Sequence, residues 1–238
     1  MRLIITGEAD VAVVGGAEGS VDPLSISGFS AARTLSTNND NPAKASRPFD
    51  KDRDGFVLAE GSAVLVIERL SHARARGATP LAVIAGYGTA ADAYHVTSGD
   101  PTGAGARAAM TRALAMAGLS PGDIDYINAH ATSTAVGDAA EIASISSLFT
   151  NRGKDLSISS TKSSTGHLLG AAGAIEAIYS VLALRNGLVP ATLNLEEPDV
   201  GDTFDLVPKV AKAKTLRHAL SNSFGFGGVN ASLVFSAA

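Results

Sequence analysis

The chain contains no cysteine among its 238 residues. Disulfides, thiolate metal sites and a cysteine nucleophile are thereby excluded. It also lacks a basic excess. Nineteen Lys and Arg against 23 Asp and Glu leave a net charge of −4, which is not the footprint of a nucleic-acid binder. No clean apolar run reaches membrane-spanning length. The longest, after His167, is broken by Glu176 and rich in glycine. The first residues do not have the pattern of a signal peptide. Two catalytic signatures are missing as well. There is no H-E-x-x-H, and Gly28-Phe29-Ser30-Ala31-Ala32 fails the nucleophile-elbow pattern at its last position. With 45% hydrophobic residues, the expectation is a soluble, cytoplasmic protein of one large or two small domains, with no metal site and no membrane contact.

What is present centres on Ser159 to Gly173, S-S-T-K-S-S-T-G-H-L-L-G-A-A-G. Leu156-Ser157-Ile158 alternates like a strand before it. Leu168 to Leu184 follows, almost wholly apolar, with Glu176 its one charge. A helix apolar all round is expected to be buried on every side. His167 then falls at its start, beside unpaired N–H groups and the positive end of the dipole. Such a place suits developing negative charge and disfavours a protonated imidazole.

Along the chain, Arg2 to Ile5 reads as the last turn of a helix stopped by Gly7. Ala9 to Val14 reads as a buried strand ending in a turn at Gly15 to Gly19, which lacks the G-x-G-x-x-G spacing of a dinucleotide site. Pro23 to Leu35 reads as a helix. Asp50-Lys51-Asp52-Arg53-Asp54-Gly55 imitates the start of a calcium loop, but Gly61 stands where the closing Glu belongs. An Asp/Arg turn held by its own ion pairs is expected instead. Strands are expected at 62–68, 81–88 and 124–128, and helices at 70–76, 103–117 and 138–149. Ala106, Met110, Leu114 and Ala117 stand at helical spacing as core positions. The C-terminus reads as a hairpin, 219–224 and 229–235, turning at Gly225-Phe226-Gly227-Gly228. Strands alternating with helices predict α/β architecture with buried sheets, and the apolar helix predicts a multilayer arrangement with helices between sheets. A soft division falls near Gly77 to Pro80.

His130 and His167 each end a strand-to-helix passage, where open α/β sheets bind ligands. Two neutral imidazoles can donate to one oxygen, or one can act as a base. Lys162 can fix the local charge and Glu176 can hold Lys162; a buried ion pair without a chemical role is the alternative. His72 reads as solvated and His218 as a surface residue.

Four stretches then resemble one family. Asn128 to Thr134, Ser160-Thr161-Lys162 with Gly166-His167, Asn222 to Asn230, and Arg47-Pro48-Phe49-Asp50 with Arg53-Asp54-Gly55-Phe56 are similar to β-ketoacyl-acyl-carrier-protein synthases, most of all the synthase II type. The resemblance implies a thiolase-like layered αβαβα fold, here incomplete. Residues 1–80 would be the remainder of the N-terminal half and 81–238 the C-terminal half. It implies an acyltransferase that elongates acyl chains by decarboxylative condensation with malonyl-carrier protein in fatty-acid biosynthesis. It assigns His130 and His167 to the enolate or thioester oxygen, Lys162 and Glu176 to the charged pair beside them, and Thr132 and Thr134 to the pantetheine arm. Phe226, with Phe224 close by, would gate the acyl pocket, and the region of Asp92 to His95 would be its moving companion. Arg33 would greet the acidic carrier protein. No cofactor is implied beyond substrates carried on phosphopantetheine; a homodimer is implied for the full-length enzyme.

This sequence departs from the pattern in two ways. Ala131 stands where a glycine is usual, and its methyl would crowd the loop beside His130. The family's acyl-accepting cysteine lies on the helix whose last turn Arg2 to Ile5 resembles, and no cysteine occurs here. The chain alone is therefore expected to be inactive, with exposed apolar surface on the face nearest Met1. A non-catalytic partner subunit is the competing reading, and the presence of His130, Lys162 and His167 argues against it.

Overall fold

The apolar runs of the C-terminal two-thirds become one five-stranded mixed sheet in the computed structural model, which describes residues 1–238. Its strands are β3 (Val83–Ala91), β4 (Tyr126–Asn128), β5 (Ser157–Ser159), β8 (His218–Gly225) and β9 (Val229–Ser236), in the order β3-β9-β8-β4-β5. β4 runs parallel to both β5 and β8, while β9 is antiparallel to β8 and β3. The predicted hairpin is therefore the middle of the sheet.

One face of the sheet is covered by α4 (Ala104–Ala117) and α5 (Ala135–Leu148). Met110, Leu114, Ile127, Ile145, Ile158 and Val234 form the core between them. Each fully buried side chain of this kind stabilises the fold by about 1.5–3 kcal/mol. Helix α4 lies unusually close to β3, because a Cβ at Gly88 would sit 2.0 Å from the Ala109 carbonyl. The other face is covered by α7 (Ala172–Asn186), through Ala177, Ala183 and Leu184 against Tyr126, Ala219 and Phe235. Beyond α7 lies a second sheet, the antiparallel pair β1 (Val11–Glu18) and β2 (Gly61–Glu68). Helix, sheet, helix, sheet is the layering expected for the incomplete αβαβα fold. Shorter elements complete the chain: α1 (Arg2–Ile5), α2 (Pro23–Ala31), α3 (Leu70–Ala75), α6 (Lys162–Thr165) and the small pair β6 (Leu188–Val189) and β7 (Lys212–Ala213). No helix is long and apolar enough to cross a membrane.

Several expectations are corrected. β1 does not stop at Gly15 but runs on to Glu18, with Gly15 opposite Val64 and Gly16 opposite Ala63. Gly16 is there for close approach, since a Cβ would lie 2.4 Å from the Gly170 carbonyl. Nor is β1 buried. Its outer face, with β2, exposes Val13, Val64 and Val66, over which no element of this chain packs. Leu3 and Ile5 are exposed as well, as expected for that face. α7 is not enclosed on all sides, because Leu182 is exposed. α5 begins three residues before Asp138, at Ala135. The Asp/Arg turn is not held only by itself: Arg53 pairs with Asp138 and Asp199, both far away in sequence. His218 is half-buried, with Nδ1 2.9 Å from the Ser236 hydroxyl.

Candidate functional site

β4, β5 and β8 are parallel, so their C-terminal ends open on the same edge of the sheet. β3 ends and β9 begins at that edge too. The loops after them therefore converge, as parallel strand ends require. They are drawn together by Ser160 Oγ donating to the Ala131 carbonyl (2.7 Å) and by the Asp92 N–H donating to the Gly228 carbonyl (2.9 Å). A cavity of about 820 Å³ lies among them. His130, His167, Thr132, Thr134, Asp92, Phe224, Phe226 and Arg33 all line it.

The two imidazoles meet there edge to face, with ring centroids 5.2 Å apart. His130 is held from behind. Glu141 on α5 accepts the N–H of His130 (3.0 Å) and of Ala131 (2.7 Å), and the Asn222 amide (3.0 Å). The Ala131 methyl is fully packed in the main core, so the loop accommodates it. The Phe224 ring lies 5.7 Å from the other side of His130.

His167 does not begin a helix. It follows the single turn α6 and precedes a 3-10 turn, Leu169–Ala171, with α7 starting only at Ala172. Its place is fixed by a parallel bridge to the segment after Asp54. Its N–H donates to the Val57 carbonyl (2.7 Å) and its carbonyl accepts the Ala59 N–H (3.1 Å). Gly166 makes the approach possible, with φ at 70° and no room for a Cβ against Val57 and Ala59. Phe56 packs edge-on against the ring at 5.3 Å.

Lys162 projects from α6 into the protein and forms a buried ion pair with Glu176 of α7. This pair is the source of the local field. Burial, then the Lys162 ammonium, then His167 hold His130 well below the ordinary imidazole range. Burial and Lys162 bring His167 down to about 3. Burial pushes the Glu176 carboxyl up, against the pull of Lys162. Both histidines are thus neutral at pH 7, each with one ring N–H to donate. Nδ1 of each ring is buried without a protein partner, as is Oε2 of Glu176.

The outer part of the cavity carries the remaining residues. The Thr132 and Thr134 hydroxyls lie 3.1 Å apart. Phe226 sits at the tip of the β8–β9 turn, 52% exposed, while Phe224 reaches inward to His130. Asp92 is bound to this turn, its carboxylate accepting the Asn230 amide at 2.7 Å. Arg33 is exposed, in left-handed conformation with φ at 56°, just past α2. Eight of the site residues expected from sequence therefore line one cavity, while Lys162 and Glu176 lie buried outside its lining. The reading from sequence left out Glu141, Asn222 and Phe56. Asn222 and Phe56 stood inside recognised motifs without a task. Glu141 had one available signal, an acidic residue three positions after Asp138 in a helix otherwise apolar and small.

Comparison with known proteins identifies the family. Residues 1–73 match the family model for the beta-ketoacyl synthase N-terminal domain, and residues 81–196 that for the C-terminal domain. A 3-oxoacyl-[acyl-carrier-protein] synthase 2 of Rhizobium meliloti is 53% identical over 98% of this chain and 55% of its own length. A mitochondrial 3-oxoacyl-[acyl-carrier-protein] synthase of Arabidopsis thaliana is 53% identical over 99% of this chain and 52% of its own length. Among solved structures, a beta-ketoacyl synthase from Burkholderia phymatum superposes with a TM-score of 0.94 at 39% identity, covering 100% of this chain and 57% of that one. A type II polyketide ketosynthase, solved with its acyl-carrier protein and a hexaketide, gives a TM-score of 0.97 at 36% identity, covering 100% and 59%. The chain belongs to the beta-ketoacyl synthase family. It spans about half the length of the curated relatives it matches.

Proposed function

We propose that these residues form the two-histidine portion of a 3-oxoacyl-[acyl-carrier-protein] synthase that extends acyl chains in fatty-acid biosynthesis. The observation that carries the reading is the pair of neutral imidazoles, 5.2 Å apart at one cavity beside a buried Lys162–Glu176 pair. In this reading a cysteine thiolate, supplied from outside these residues, takes the acyl group and releases the carrier thiol. Malonyl-carrier protein then enters with its pantetheine arm along Thr132 and Thr134. Loss of CO₂ leaves an enolate, whose oxygen accepts the N–H groups of His130 and His167. The enolate carbon attacks the acyl thioester, forming the new C–C bond and returning the thiolate. Neutral rings suit this task, because they donate without needing a base to discharge them. Burial, with Lys162 adding to it, keeps them neutral, and Glu176 balances Lys162. Phe226 gates the acyl pocket with the Asp92–His95 segment, and Arg33 meets an acidic acyl carrier protein. Residues 1–80 belong to the first thiolase-like half and 81–238 to the second; the complete enzyme is a cytoplasmic homodimer.

The test uses acyl- and malonyl-carrier protein with this chain, first alone and then joined to the cysteine-bearing portion of a synthase. The chain alone should make no 3-oxoacyl product, since the covalent step needs a nucleophile. In the joined enzyme, His130→Ala or His167→Ala should slow CO₂ release by about 10²–10³ while acylation of the cysteine stays measurable. Normal decarboxylation in both variants would refute the two-histidine role.

A further inference from the structure

The Asp/Arg-rich turn at 50–55 has no part in the chemistry just described, yet it braces one side of the cavity. Thr132 and Thr134 flank Ser133, which is fully buried and in left-handed conformation with φ at 72°. A non-glycine residue keeps such a conformation only where its surroundings fix it from several directions. Here they come from one stretch, 47–55. The Arg47 N–H donates to the Ser133 hydroxyl (3.0 Å), and the Gly55 N–H to the Ser133 carbonyl (3.0 Å). The buried Arg53 guanidinium then grips the next two carbonyls, Nε to Thr134 at 3.3 Å and Nη2 to Ala135 at 3.1 Å. Nη1 donates to the Asp50 carbonyl (2.7 Å) and pairs with Asp199. All three nitrogens are engaged within the protein.

Thr134 shows what this bracing achieves. It is the N-cap of α5, but its hydroxyl makes no capping bond. The hydroxyl stays paired with that of Thr132 at the cavity instead. A cap threonine ordinarily turns its oxygen to the helix N–H groups.

We infer that Arg53 is a positioning residue that, with the 47–55 turn as a backplate, fixes the Thr132 and Thr134 hydroxyls as one unit for a pantetheine arm. The inference rests on the reading of these threonines given above. Its competitor is that Arg53 only balances the buried Asp138 carboxylate, 3.5 Å from Nε. Arg53→Lys separates the two. Lysine keeps the positive charge but cannot grip the Thr134 and Ala135 carbonyls as a planar fork.

The experiment titrates pantetheine into the 238-residue chain and follows the threonine methyl signals by NMR. In the native chain pantetheine should move the Thr132 and Thr134 signals. In Arg53→Lys those signals should be displaced before any ligand is added, and pantetheine affinity should fall by about three- to tenfold, the scale of one lost hydrogen bond. Unmoved methyl signals with unchanged affinity would overturn the proposal in favour of charge balance. If pantetheine moves nothing in the native chain, the pantetheine assignment falls, while the ligand-free spectra still decide what Arg53 does. Should Arg53→Lys fail to fold, Ser133→Ala removes only the acceptor of the Arg47 N–H. The same two methyl signals must move there; if they stay in place, the backplate is refuted.

Discussion

Replacing His167 by glutamine should change how stability depends on pH, by an amount the site geometry sets. His167 is held at about 3 by burial first and by Lys162 second. An unfolded histidine titrates near 6.5. Below that value the unfolded chain takes up a proton that the folded chain refuses. Stability from this residue is therefore complete above about pH 6.5 and lost as pH falls, until the folded pKa near 3 is reached. The slope is about 1.4 kcal/mol per pH unit. Between pH 7.5 and pH 5 the loss works out to about 2 kcal/mol, taking folded and unfolded values of about 3 and about 6.5. Carboxylates that titrate in the same range complicate an absolute curve. Asp138, raised to about 7 by burial, works in the opposite sense. The comparison with His167→Gln cancels them, because they are present in both proteins. Urea unfolding at pH 7.5, 6 and 5 gives the difference. The gap between native and variant should close by about 2 kcal/mol towards pH 5 in the variant's favour. Parallel curves would show that His167 titrates alike in the folded and unfolded chain, so that folding does not hold its ring neutral.

Two further outcomes are expected. Phe226→Ala should leave stability within about 0.5 kcal/mol, since the ring is 52% exposed at a glycine turn. In the joined synthase it should slow single-turnover acylation by long-chain donors; unaltered acylation would remove Phe226 as a gate. Gly137→Ala should leave the stability of α5 within about 1 kcal/mol, the gain in helix propensity being offset by the displaced Thr134 hydroxyl. Its new methyl would stand 2.6 Å from the Thr134 hydroxyl, so pantetheine binding should weaken, and an unchanged titration would count against the threonine pair.

The layered architecture could be read from patterns of local period. The β8–β9 hairpin and helix α4 appear within a residue or two of expectation, because alternation and helical spacing are properties of the segment itself. The surroundings of His167 could not be read that way. Its neighbours in sequence suggested a helix start, but a parallel bridge to Leu58, more than a hundred residues earlier, determines where it sits. Gly15 and Gly16 misled for a related reason. Glycine marks both tight turns and close backbone approach, and only the location of Gly170 shows which of the two applies at Gly16.

The charged residues of α5 make a sharper case. Asp138 and Glu141 are three apart, so they share a face of the helix, and that face is buried. Two carboxylates inside a protein must find donors, because an unpaired buried charge costs several kcal/mol. Most of their donors are backbone N–H groups: Phe49 for Asp138, and His130 with Ala131 for Glu141, which also accepts the Asn222 side-chain amide. A buried acidic face on a helix that follows a polar loop is thus a reason to look for loop amides facing it. Applied to residues 135–148, that rule points to the preceding His130 loop, whose amides do face Glu141. The same requirement explains why Arg53 is buried. Asp138 at the first turn needs a cation nearby, and a guanidinium can supply the charge while its remaining N–H groups hold the threonine loop.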